Sequence, residues 1–135
     1  MATIENLCKQ FGDMLNGESK VDKGVCTVSL HRAFHATVQG KGSTKVMPAN
    51  VSFESLDQNG RALNLVEIAV LQEEIPAFMQ SLTQQGLIVS ALHNHWLYTN
   101  PLIMYMHIQS VEPPLDFARK LAYSFRYLSS YPIAK

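Results

Sequence analysis

Three histidines of matching strand parity are the side chains best placed to do chemistry. In Ala91-Leu92-His93-Asn94-His95-Trp96-Leu97, His93 and His95 are two residues apart. On a strand both rings point to one face, and Leu92, Asn94 and Trp96 point to the other. The run Pro101 to Ile108 places Ile103, Tyr105 and His107 on one face and the more apolar Met104, Met106 and Ile108 on the other. If the apolar set packs under helices with Leu92 and Trp96, the three histidines share the opposite face. A short turn near Thr99 then brings His107 within cross-strand or diagonal reach of the other two. Neutral imidazole suits Zn, Ni, Cu or Fe, and three protein ligands leave a coordination position free for water or substrate. The expected site is one divalent metal ion, zinc first, on His93, His95 and His107.

A fourth group is Glu67, set among apolar residues in Leu65-Val66-Glu67-Ile68-Ala69-Val70. A carboxylate there needs a partner, a metal or a solvent-filled cleft to offset its desolvation. Glu54, in Val51-Ser52-Phe53-Glu54-Ser55, is a weaker version of the same argument. A cleft floored by Glu67 and walled by histidines could instead hold a small polar ligand without metal, with Glu67 and His95 as an acid/base pair and Glu54 and Tyr105 as contacts. If the chain is an enzyme, a bound metal that activates water or polarises a carbonyl implies hydrolysis or isomerisation. The alternative without chemistry is a polar sheet face through which the chain pairs, for instance as a homodimer. His31, Arg32 and His35 form a thinner group. Arg32 could bind a ligand carboxylate or phosphate in two-pronged fashion, or sit in a salt bridge. Gly40-Lys41-Gly42-Ser43-Thr44 lacks the GxxxxGK[ST] order of a phosphate loop, so no nucleotide cofactor is expected.

These residues need strands to align them, and the pattern supplies two hairpins. Ala49–Leu56 and Ala62–Leu71 flank Asp57-Gln58-Asn59-Gly60, whose Asn-Gly pair can take up the positive φ angles of a tight turn. Leu87–Leu97 and Leu102–Ser110 flank Tyr98-Thr99-Asn100-Pro101, with proline opening the returning strand. Gly24–Leu30 alternates as a half-buried strand, which His31–Gln39 continues or returns. Helical spacing marks Thr3–Leu15, Glu73–Gln85 stopping at Gly86, and Pro113–Leu128. In the C-terminal half Tyr123, Phe125, Tyr127 and Tyr131 read as core and dimer surface. Helices alternating with hairpins predict an α+β fold: a mainly antiparallel sheet with helices packed on one face, a two-layer sandwich.

With 135 residues and 47% hydrophobic side chains, the chain fits a single domain, with an N-terminal helix over 1–17 and a core over 24–128. The charge balance of 11 basic against 11 acidic residues provides no basic stripe, so neither nucleic acid nor an anionic membrane is an expected partner. No run approaches the ~18 apolar residues of a membrane span, and the start lacks the pattern of a secretory signal. A cytoplasmic location is the expectation. Cys8 and Cys26 are too few for a disulfide framework and too far apart for a CxxC site, and are expected to be reduced and structural.

The segment Gly86 to Leu97, followed by Met106-His107-Ile108, resembles the LppY/LpqO family, a bacterial family of unknown function. The similarity runs from about Gly24 to about Phe125. It covers an ALHNHM-like segment, here Ala91 to Trp96, and an FMHFW-like strand, here Tyr105 to Gln109. Phe53-Glu54 resembles a family Phe-Gln pair, Glu67 falls where an acidic residue is usual, and Arg32 matches an early arginine. Trp96 replaces the usual Met, and only Met47-Pro48 remains of a Pro-Pro-x-Met-Gly-like loop. The resemblance implies a shared fold and a functional role for His93, His95 and His107, and names no reaction.

Overall fold

A computed structural model describes residues 3–134. In chain order the elements are α1 (Ile4–Met14), β1 (Ser19–Asp22), β2 (Val25–His31), β3 (Thr37–Val38), β4 (Lys41–Gly42), β5 (Pro48–Glu54) and β6 (Ala62–Leu71), followed by α2 (Ile75–Gln84), β7 (Ile88–His93), β8 (Thr99–Asn100), β9 (Ile103–Glu112), α3 (Pro114–Ser124) and β10 (Ile133–Ala134). Six strands run in the order β1-β2-β5-β6-β9-β7, and β10 also pairs with β2. Every neighbouring pair is antiparallel. Since β6 and β7 are both antiparallel to β9, they run parallel to each other, joined by α2 with β9 inserted between them. This is an α+β fold with a mainly antiparallel sheet and, among the described residues, three α-helices.

Strand parity decides what lies under the helices. Cys26, Val28 and Leu30 of β2, Val51 and Phe53 of β5, Val66, Ile68 and Val70 of β6, and Met106 and Ile108 of β9 are all buried in one cluster with Phe11, Phe78, Phe117 and Leu121 from the helices. The expected inward set Met104, Met106, Ile108 and Leu92 packs there. Trp96 does not: it lies beyond the end of β7 and is 47% exposed.

α1 starts at Thr3, whose Oγ1 accepts from the Asn6 backbone N–H at 3.1 Å, a standard cap on a free donor of the first turn. Its inward stripe carries Cys8 over the inward-facing Cys26, and the two form a disulfide with Cα atoms 5.6 Å apart. This corrects the expectation of two reduced thiols. Separation along the chain is no measure of separation in space, and α1 returns across the β1–β2 hairpin, in contact with both strands. Among the described residues no helix is long and apolar enough to cross a membrane.

The β5–β6 hairpin forms as expected, though by a different turn. Gly60 has φ +77°, while Asn59 is not among the positive-φ residues. Asp57 organises the loop instead: its Oδ1 accepts from the backbone N–H groups of Asn59 and Arg61, the local mimicry that makes aspartate a turn residue.

The helix-free face is partly covered. Ala36, Val46 and Met47, from the connection between β2 and β5, pack on Ala69, Ile103 and Tyr105 as a second, smaller core. Within this excursion β3 pairs with both β4 and β8, closing one end of that face.

Arg32 anchors the base of the excursion. Its guanidinium is fully buried, donating from Nη1 to Ala69 O and Glu74 Oε1 and from Nη2 to Glu74 Oε2 at 2.6 Å. The carboxylate it grips in two-pronged fashion thus belongs to the protein: of the two roles left open by the sequence, the salt bridge is the one formed, and the ligand-binding role is corrected because the guanidinium is fully engaged inside the fold. Glu74 also accepts from the backbone N–H groups of Leu71 and Ser129. Burial acts to raise the carboxyl pKa, but hydrogen bonds from Arg32, Ser129 and Leu71 outweigh it and hold the value at about 2 against an ordinary 4.5.

Candidate functional site

The register of the sheet assembles two polar rungs on the helix-free face. Ser29, Asn50, Glu67 and His107 are successive cross-strand partners on β2, β5, β6 and β9. Two residues further along each strand, Thr27, Ser52, Leu65 and Gln109 form the next rung. These residues line a cleft of about 510 Å³. Sequence reading did not single out Asn50, Ser52, Ser29, Thr27 or Gln109. The signal was their alternation with buried neighbours, such as Ala49, Val51 and Phe53 around Asn50 and Ser52.

At one end of the first rung Glu67 Oε2 lies 3.6 Å from His107 Nε2, both side chains partly exposed. β7 completes the cluster through a bulge between Val89 and Ala91, which leaves Ala91 opposite His107 and His93 opposite Tyr105. His93 therefore sits diagonal to His107, with ring centroids 5.2 Å apart. A bulge re-aims the side chains beyond it, and here it carries His93 onto the histidine face.

His95 joins from a loop rather than from the strand, because β7 ends at His93 and the chain does not fold directly back. Residues 94–102 swing out instead, with Thr99 and Asn100 pairing β3. The expected four-residue turn is replaced by this longer excursion. The His95 ring lies 5.9 Å from His93 and 5.2 Å from Tyr105 between centroids, so His93 has each of the other two rings as a neighbour.

Tyr105 is buried beside them, and its hydroxyl donates to Val46 O, tying the excursion to β9. Burial pushes its phenol above the ordinary 10.0, with the nearby Trp96 indole acting in the opposite sense and the Glu67 charge adding to the rise. Glu54 is not part of the cluster. It pairs with Leu63, four residues along β6 from Glu67, a separation of roughly 13 Å at strand rise.

The histidine donor atoms do not converge. The His93 and His107 rings are stacked with planes 27° apart, and His93 Nδ1 lies 3.0 Å from Asn94 O. Among the described residues no three His, Cys, Asp or Glu side chains are arranged as ligands of one metal ion.

The fold and this face define a two-layer α+β domain that carries its polar, histidine-bearing cleft opposite its helices. Residues 9–126 match the family model described as Domain of Unknown Function (DUF1259), and the chain belongs to that family. No curated protein and no solved structure matches it.

Proposed function

We propose that the helix-free face binds one divalent metal ion, zinc first, through His93, His95 and His107, with Glu67 as fourth ligand or as base toward a small polar ligand at the open position. The observation that carries this reading is the gathering of three imidazoles from β7, the following loop and β9, with centroids 5.2 and 5.9 Å apart, beside a carboxylate 3.6 Å from one of them. With Zn–N bonds of about 2.1 Å, imidazoles sharing a tetrahedral ion have centroids about 5 Å apart. Two of the three ring pairs stand near that spacing, and binding asks that the rings turn about their side-chain torsions, which have several staggered wells, and that the His95 loop close on His107. The resemblance to the LppY/LpqO family weights the same three histidines.

A second reading is favoured by the Glu67–His107 contact itself. A carboxylate facing an imidazole, with a cleft beside it, is an acid/base pair that needs no metal. Plasma mass spectrometry of untagged protein purified without chelator separates the two. Near one equivalent of metal, lost when all three histidines are replaced, supports the first reading. Failure to take up Zn, Ni, Fe or Cu even on incubation with each ion overturns it and leaves the second.

A further inference from the structure

We infer that the cleft beside the histidines is built for a neutral, polyhydroxylated ligand, a saccharide of one or two rings; this rests on the reading that the Glu67–His107 end is functional. The rungs Ser29-Asn50-Glu67-His107 and Thr27-Ser52-Leu65-Gln109 span three strand spacings, roughly 14 Å, by two residues, roughly 7 Å. Six of these eight positions present a hydroxyl, a carboxamide or an aliphatic side chain that never ionises, and the two ionisable groups, Glu67 and His107, face each other at one side. Hydroxyl and carboxamide groups both donate and accept, as the hydroxyls of a sugar do, whereas a phosphate or carboxylate ligand asks for lysine or arginine, and none lines the cleft.

Two further features fit the same occupant. The side chains of Thr27, Ser29, Asn50, Ser52 and Gln109 make no hydrogen bond to another side chain among the described residues, so their donors and acceptors are available. Leu65, 38% exposed in the middle of the second rung, offers an apolar surface to the C–H face of a pyranose. A mixed lining with a few directed polar groups is the usual build of a small-molecule site. Glu67 and His107 would meet a hydroxyl at one end, where an acid/base pair or an adjacent metal ion could act on it.

The test is binding of the full chain to an array of neutral mono- and oligosaccharides, with uronic acids and sugar phosphates on the same array. Hits are repeated by calorimetry on the wild type, Asn50→Leu, Ser52→Val and the triple histidine variant. The expected result is a neutral saccharide that binds at least about tenfold more weakly to Asn50→Leu and Ser52→Val, a loss of ~1.4 kcal/mol. Circular dichroism and metal content should be unchanged in these two variants. Binding that is weakened by loss of the His107 contact yet retained in the triple histidine variant, while metal is lost, shows the saccharide cleft standing apart from the metal site. Binding confined to the anionic sugars, or no saccharide bound while metal uptake is intact, overturns this inference and leaves the metal reading in place. Sedimentation showing a stable dimer that Ser52→Arg dissociates also overturns it, because a second copy would then be the occupant of the face.

Discussion

Glu67 and His107 occupy the same rung of the β6–β9 ladder, and Oε2 of the one lies 3.6 Å from Nε2 of the other. Their pairing is set by backbone hydrogen bonds and by the ten-residue match of the two strands, so neither side chain has to be recruited by the other. Both are partly exposed, and an exposed pair of this kind stabilises a fold by at most about 1 kcal/mol. Glu67→Gln should therefore leave the melting temperature nearly unchanged. The same substitution should weaken zinc binding at least about tenfold, the scale on which a ligand or its hydrogen-bonding partner acts. Competition against a chromophoric chelator reads the affinity, and unaltered zinc affinity would remove Glu67 from the site.

His95→Ala tests the loop contribution. The residue is exposed and lies outside the sheet, so the change should cost no more than about 0.5 kcal/mol of stability, as surface substitutions usually do. Metal uptake should fall from near one equivalent to a small fraction of it. Undiminished uptake in a folded variant would mean that His93 and His107 bind without it.

The ion pair between Arg32 and Glu74 is a different matter, because it is buried and each oxygen of the carboxylate is engaged. Removing one partner leaves an uncompensated buried charge, and Glu74→Gln should cost about 3–5 kcal/mol. The pH dependence has a definite sign. The folded-state pKa of Glu74 is about 2, below its ordinary 4.5, so its contribution is fully present above pH 4.5 and is lost as the pH falls through about 2. Integrated over that window it is on the order of 3 kcal/mol. Urea midpoints measured between pH 6 and pH 2 should fall in the wild type, and this component of the slope should vanish in Glu74→Gln.

Residues with period-two or helical patterning were legible in the sequence, because burial on one face leaves a trace in residue type. The helices over Ile4–Met14 and Ile75–Gln84 and the strands β5, β6 and β9 fall within a few residues of their expected bounds. The grouping of His93 with His107 was legible for the same reason. The turn between β5 and β6 was half legible: Gly60 takes the positive φ, but an Asn-Gly pair does not reveal that Asp57 will cap the loop from three residues upstream of the glycine. His95 was reached by the wrong route: it stands in a loop whose course is set by pairing of β8 with β3, a contact about sixty residues away in sequence that no local pattern encodes. Arg32 shows the same limit, because the carboxylate that occupies it lies 42 positions further on.

The Cys8–Cys26 disulfide was the least legible of these features, and it makes the last prediction. It closes a loop of 18 residues between α1 and β2, and cross-linking that length of unfolded chain stabilises a fold by about 3 kcal/mol. Reduction, or replacement of both cysteines by alanine, should lower the melting temperature by roughly 10 °C for a domain of this size. The bond lies under the helices, while Thr27 and Ser29 project from the opposite face of the same strand. Metal stoichiometry at His93, His95 and His107, on the far side of the sheet, should accordingly survive in the folded variant. Cytosolic thiols are held reduced, and disulfides persist where the surroundings oxidise them. Alkylating the protein at the moment of its extraction from the cells that make it, then weighing the intact chain, reads which state it works in. An unlabelled chain places it in an oxidising compartment; two alkyl groups would mean that it functions with free thiols and without this source of stability.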